Sequence, residues 1–219
     1  YQESQLGTGH AVMQAKDNID DDDLVLVING DQPLISSKTI KSMISFCEQG
    51  NYGGVVLSGI VDHPGSLGRV IRDGKGNLNR IVERKDCNED EERVKEVNIG
   101  VYCFNGKLLK ESFSKLDDNN AQNEYYITDI PVHIKNAGYN FGVCTIADMS
   151  EFQGINSREE LSLATCTLLN KTRKLHMANG VTLIDPSSTY ISIDAKIGRD
   201  TIIYPGTNIQ GETVIGENC

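Results

Sequence analysis

Asp31 stands where a carboxylate can meet a ligand. It follows Leu24-Val25-Leu26-Val27-Ile28 and Asn29-Gly30, a β-branched run that predicts a strand covered on both faces. Open α/β sheets gather ligands beyond the carboxyl ends of such strands. A second reading makes Asp31 an Asx cap for the next helix, and the two roles are compatible. The acidic run Asp20–Asp23 reads instead as a solvated turn, because four consecutive side chains do not converge easily on one cation. His63, His133 and His176 have no triad-like neighbours in sequence. The six cysteines, Cys47, Cys87, Cys103, Cys144, Cys166 and Cys219, include no Cys-x-x-Cys pair, so a zinc ribbon or thioredoxin motif is unsupported. Cys103 and Cys144 lie in apolar stretches and read as small buried hydrophobes. A reducing cytoplasm is the simplest setting for such a set.

The elements that position these residues follow from period and punctuation. Ser36 or Ser37 can cap a helix running to about Glu48. Gly53–Ile60 is an apolar strand, and 69–85 reads as a hairpin turning at Asp73-Gly74. Residues 86–96 are a polar loop with some helix, followed by a strand at Val97–Phe104 and a short helix at Lys107–Lys115. In Asn123–Ala137, Thr128 and Asp129 stand at a helix start, with Pro131 in the first turn. Tyr139–Ile146 is one more strand. This half predicts a mixed α/β sheet. Ser157–Ala178 then reads as a long connecting helix, capped by Ser157, striped by Leu161, Leu168, Leu169 and Leu175, and ended by Gly180.

After Gly180 the period changes. Ile191, Ile197, Ile203, Ile209 and Ile215 recur every six residues, and four positions after each stands a small residue: Ala195, Thr201, Thr207, Thr213, Cys219. Two phase-locked columns predict a parallel β-helix of about 18 residues per coil, each wall giving one inward aliphatic side chain.

Composition bounds the rest. The 219 residues carry a formal net charge of -10, with 38% hydrophobic and 24% charged residues. That is an ordinary globular balance without the basic footprint of a nucleic-acid binder. No apolar run approaches the ~18 residues of a membrane helix.

Several stretches, in order, resemble the bifunctional bacterial N-acetylglucosamine-1-phosphate uridyltransferase/glucosamine-1-phosphate acetyltransferase family. They are Gln5-Leu6-Gly7-Thr8-Gly9-His10-Ala11, Asn29-Gly30-Asp31-Gln32-Pro33-Leu34-Ile35, Gly68-Arg69-Val70, Ile81-Val82-Glu83-Arg84-Lys85-Asp86, Glu96-Val97-Asn98-Ile99-Gly100, Asn123-Glu124-Tyr125-Tyr126-Ile127-Thr128-Asp129 and Gly154-Ile155-Asn156-Ser157-Arg158. The Gly-Asp-x-Pro-Leu element is shared by many sugar nucleotidyltransferases. Its combination with Gly-Ile-Asn-x-Arg and hexapeptides narrows the match.

The resemblance implies a Rossmann-like nucleotidyltransferase sheet over 1–156, a linker helix over 157–179, and the first coils of a left-handed parallel β-helix over 180–219. It implies transfer of a uridylyl group from UTP to N-acetylglucosamine 1-phosphate, giving UDP-N-acetylglucosamine and pyrophosphate for cell-wall precursor synthesis in the cytoplasm. Mg2+ is the implied cofactor, held by Asp31 and Asn156. Gln2, Gly7 and Thr8 match the uracil-reading segment, and Gly30 lets the nucleotide approach. Gly68, Glu83 and Asn98 match sugar contacts, joined by Asn156; Tyr126 and Thr128 stand to line the same pocket, with core packing the favoured alternative for Tyr125 or Tyr126. His10 packs or caps nearby, and no residue is assigned as acid or base. Ile99 stands where many members have Thr.

In the family, a Gly-rich phosphate loop precedes the segment matched by Tyr1, and the acetyl-CoA site and catalytic His follow that matched by Cys219. The chain as written is therefore expected to show little or no activity, and the parent is expected to be a homotrimer. Two rival readings are another sugar-1-phosphate nucleotidyltransferase with a β-helix tail and a non-catalytic β-helix scaffold.

Overall fold

The computed structural model describes residues 1–146, 148–152 and 154–219. It divides into two units, Tyr1–Phe152 and Gln153–Cys219. In the first, the elements run α1 (Thr8–Met13), β1 (Leu24–Val27), α2 (Ser37–Gln49), β2 (Gly54–Ile60), β3 (Arg69–Arg72), β4 (Leu78–Val82), α3 (Glu89–Glu92), β5 (Glu96–Asn105), α4 (Gly106–Phe113), α5 (Ile130–Asn136) and β6 (Phe141–Thr145).

The strands form one mixed sheet ordered β4-β3-β5-β2-β6, with β1 also pairing with β5. The β2–β6 pair is parallel, and β5 runs antiparallel to β1, β2 and β3. Alternation along β5 explains why it is the axis. Tyr102 and Phe104 pack on one face with Leu108, Leu109, Ile130 and Ile134. Ile99, Val101 and Cys103 pack on the other with Met43 and Cys47 of α2. Both faces are buried along β2 and most of β5, but β1, expected to be covered on both faces, is only half-buried and leaves Leu24 exposed, because it pairs on one side only, with β5.

Local chemistry fixes the element ends. The Ser36 hydroxyl accepts the Thr39 N–H at 3.1 Å to cap α2, and Asn88 and Glu91 close a capping box on α3. The expected hairpin turns over Asp73–Asn77, with Gly76 at φ 83° as its left-handed residue. One expectation changes. Asp129 sits at the cap position of α5 without capping it, and the Thr128 hydroxyl is engaged elsewhere.

The second unit holds α6 (Arg158–Ala178) and six two-residue strands: β7 (Thr182–Leu183), β8 (Tyr190–Ile191), β9 (Lys196–Ile197), β10 (Ile202–Ile203), β11 (Asn208–Ile209) and β12 (Val214–Ile215). They pair in parallel as β7–β10, β8–β11 and β9–β12. Asn208 lies beside Tyr190 and Val214 beside Lys196, the 18-residue coil of the hexad period. Ile202 lies beside Thr182, a longer coil because a 3-10 turn at Pro186–Ser188 is inserted. Ile191, Ile203 and Ile209 point into the shared core. At the bends the hydroxyls of Thr201, Thr207 and Thr213 donate to the carbonyls of Gly216, Tyr204 and Gln210 at 2.6–2.8 Å.

The leucine stripe of α6 is a correction. Leu161, Leu168 and Leu175 are exposed, and the helix buries Ala164, Thr172 and His176 instead. That face meets β7 and β8, and the Arg173 Nε–H donates to the Thr189 carbonyl at 2.7 Å.

Candidate functional site

The site grows from three segments that meet near one end of β5. The first is the β3–β4 pair. A Cβ built on Gly68 would lie 3.6 Å from Asn98 Cβ and 3.6 Å from Glu83 Oε2. The three expected sugar contacts therefore face one point. The Asn98 N–H donates to the Gly68 carbonyl at 2.9 Å, which pins the loop to β5. Asn98 is held in turn: its Oδ1 accepts the Gly100 N–H at 2.9 Å, and its Nδ2 donates to the Tyr102 hydroxyl at 2.7 Å.

Glu83 ends β4. Burial pushes its carboxyl above the ordinary range, the Thr128 hydroxyl opposes that shift, and the charges of Asp86, Asp129 and Glu124 add to it. The Thr128 hydroxyl donates to Glu83 Oε1 at 3.2 Å. Asp86 accepts the Ala121 N–H at 2.9 Å and the Tyr126 hydroxyl at 3.3 Å, which ties the Asn119–Tyr126 loop to the strand end. Glu83, Asp86, Tyr126, Thr128 and Asp129 share a cleft of about 460 Å³. Arg80, Asn119, Asn120 and His133 also line it, while Gly68 and Asn98 do not.

The second segment is the loop entering α1. Gly9 N–H donates to the Tyr125 carbonyl at 2.7 Å, and Tyr125 N–H to the Leu6 carbonyl at 2.8 Å. The Ile127 N–H donates to Thr8 Oγ1 at 3.1 Å, next in sequence to Thr128. Gly7 has φ 108°, and a Cβ there would lie 2.6 Å from the Tyr125 carbonyl oxygen, so only glycine fits. Gln2 reaches back over the loop, its Nε2 2.8 Å from His10 Nδ1.

The third segment is the turn after β1. Nothing lies within 4 Å of a Cβ built on Gly30, so that backbone faces open space. Asp31 is exposed, and among the described residues its carboxylate has no hydrogen-bond or ion-pair partner. Ile99, by contrast, is 1% exposed. Its side chain belongs to the core.

A metal fits this donor set. Mg2+ takes hard oxygen ligands and asks for only one or two carboxylates from a protein. Asp31 is one unengaged carboxylate at a strand end. Among the described residues no three His, Cys, Asp or Glu side chains gather, and an octahedral ion completed by phosphates and water needs no such cage. Asn156 belongs to the second unit, exposed at the entry to α6, where its N–H donates to Glu160 Oε2 at 2.6 Å. Gln32 and Asn29 were not singled out from sequence; both touch β5 beside Asn98.

Comparison with known families gives one decisive match. The nucleotidyl transferase family model fits residues 1–149. The chain belongs to that family. Among curated relatives of this nucleotidyl transferase, "Bifunctional protein GlmU" of Clostridium kluyveri is 49% identical over 220 residues, covering 100% of the chain and 48% of the relative. The protein of the same name from Clostridioides difficile is 46% identical over 218 residues with the same coverage. The chain thus spans about half the length of the curated relatives it matches.

Two solved structures share the fold of this nucleotidyl transferase. A putative glucose-1-phosphate thymidylyltransferase from Bacillus anthracis, in complex with a sucrose, superposes with a TM-score of 0.58 at 19% identity, covering 75% of this chain and 62% of that one. A UDP-glucose pyrophosphorylase complexed with UDP-glucose superposes with a TM-score of 0.59 at 18% identity, covering 78% and 64%.

Proposed function

We propose that this nucleotidyl transferase makes UDP-N-acetylglucosamine, transferring the uridylyl group of UTP to N-acetylglucosamine 1-phosphate with release of pyrophosphate. The convergence of Gly68, Glu83 and Asn98 on one point carries the reading. A carboxylate and an amide there can accept and donate to adjacent sugar hydroxyls, while Gly68 leaves room for the ring. The sugar phosphate is already an anion, so the chemistry asks for alignment and charge neutralisation rather than a general base.

Gln2, Gly7 and Thr8 hold the base end, and Gly30 leaves room for the phosphates. Asp31 and Asn156 are the residues that would hold Mg2+. When bound, the ion neutralises phosphate charge during displacement. The near-half identity to proteins named as bifunctional supports placing the chain in a parent with a second activity, acetylation of glucosamine 1-phosphate by acetyl-CoA. The stacked parallel ladders are compatible with the opening coils of that parent's left-handed β-helix, through which it forms homotrimers. The reading places the enzyme in the cytoplasm. Among the described residues no helix is long and apolar enough to cross a membrane.

The test is pyrophosphate release by the complete natural protein. UTP with N-acetylglucosamine 1-phosphate should be the best pair, and Asn98→Ala should raise KM for the sugar phosphate by about tenfold or more, the cost of one lost polar contact of ~1.4 kcal/mol. Preference for ATP or dTTP with glucose 1-phosphate would overturn the assignment.

A further inference from the structure

Gln32 is a polar side chain in the protein interior, 8% exposed. Its Nε2 donates to the Ile99 carbonyl at 2.7 Å across 67 positions of sequence. Its Oε1 is buried and has no partner among the described residues. A buried acceptor without a donor weakens a fold, so packing is a poor reason for glutamine here.

The carbonyl it reaches lies in an irregular part of the sheet. The β2–β5 ladder runs in register from Gly54↔Phe104 to Val56↔Tyr102, then resumes at Ser58↔Asn98. Leu57 alone therefore spans Ile99, Gly100 and Val101. Gly100 takes φ 81°, and a Cβ on it would lie 2.3 Å from Asn29 Nδ2. Asn29 and Gln32 close one turn, with the Gln32 N–H donating to the Asn29 carbonyl at 3.3 Å. Both ends of that turn rest on the bulge, with Asp31 carried between them. Asn98 is braced on the same bulge through the Gly100 N–H.

We infer that Gln32 is a positioning residue: through the Ile99 carbonyl it joins the turn bearing Asp31 to the bulge bearing Asn98, so the cation end and the sugar end of the site are held as one body. The inference rests on the proposed roles of Asp31 and Asn98. It goes beyond them by making the two ends interdependent through a residue that touches neither ligand. Second-layer partners of this kind commonly set metal affinity by 10–100-fold.

The experiment uses Gln32→Met in the complete natural protein, which keeps length and volume but offers no N–H. Mn2+ serves as the probe, titrated by electron paramagnetic resonance in the presence of UTP. The variant should bind Mn2+ about tenfold more weakly and show a raised KM for the sugar phosphate. Its thermal midpoint is read alongside to confirm folding, since the substitution removes the unpartnered oxygen but also takes a donor from the Ile99 carbonyl. Unchanged Mn2+ affinity and KM, whatever the midpoint does, would reject the inference, and movement of only one of the two would reject the coupling. If the methionine variant does not fold, Gln32→Asn, too short to reach the carbonyl, takes its place under the same criteria. Asp31→Ala separates the two layers of the argument. If it binds Mn2+ like the wild type, the metal assignment of Asp31 fails. If it loses Mn2+ while Gln32→Met matches the wild type, only the role of Gln32 fails.

Discussion

Asp129 shows how the cleft is charged. It sits at the amino end of α5 with its side chain unused as a cap. Burial, and then the like charges of Asp117 and Asp86, push its carboxyl up to about 6. The folded protein keeps this proton to a higher pH than the unfolded chain, whose aspartates titrate near 3.9. Stability therefore falls as pH rises from about 4 to about 6, and the cost is constant above that. Asp129→Asn removes the cost of ionisation. Its thermal midpoint should exceed the wild type at pH ~7.5 and match it near pH ~4, read by scanning calorimetry at both values. An equal gain at both would assign the effect to packing. Glu83 is shifted in the same direction by burial, so the cleft holds two carboxylates poised to hydrogen-bond rather than to stay fully hydrated.

At the scale of elements, caps and periods were legible and contacts were not. Ser36 was readable as a cap, and it is one, but its N–H also donates to Glu151 Oε2 at 2.9 Å. Ser36→Ala should lower stability by about 1 kcal/mol, the cost of a lost amino-terminal cap, seen as a lower urea midpoint with an unchanged slope. The leucines of α6 carried a helical period that pointed to the wrong face. Period reports that a stripe exists, not whether a neighbour covers it; the ladders meet a different side of the helix, the one that buries Thr172 and His176. The left-handed residues were only partly visible. Gly76 and Gly100 both take positive φ, yet Asp73-Gly74 carries the stronger local turn signal. The bulge at Gly100 comes from the register of β2 against β5, which no local window contains.

At the scale of the molecule, the sheet unit and the ladder unit have separate cores. Ile203 is 6% exposed in the ladder core. Ile203→Ala should cost roughly 2–5 kcal/mol, the range for truncating a buried aliphatic side chain, and should lower only the transition that reports the ladders. Hydrogen exchange resolved by segment would show this as faster exchange in 181–215 with 54–60 and 96–105 unchanged. Acceleration across both units would contradict separate cores.

The sequence by itself determined the mixed sheet, the long helix, the six-residue period and the segments that carry Gly7, Asp31, Gly68, Glu83, Asn98 and Thr128. The elements and the period follow from local spacing, and the segments from their resemblance, as motifs contiguous along the chain, to those of a known family. Only the tertiary structure decided that Gly68, Glu83 and Asn98 face one point, that Thr128 serves Glu83 and not a helix end, that Ile99 belongs to the core, and that Gln32 ties two segments together. Each of these is a contact between residues tens of positions apart, set by strand register and by the packing of loops on β5. Such contacts arise only when the whole sheet closes.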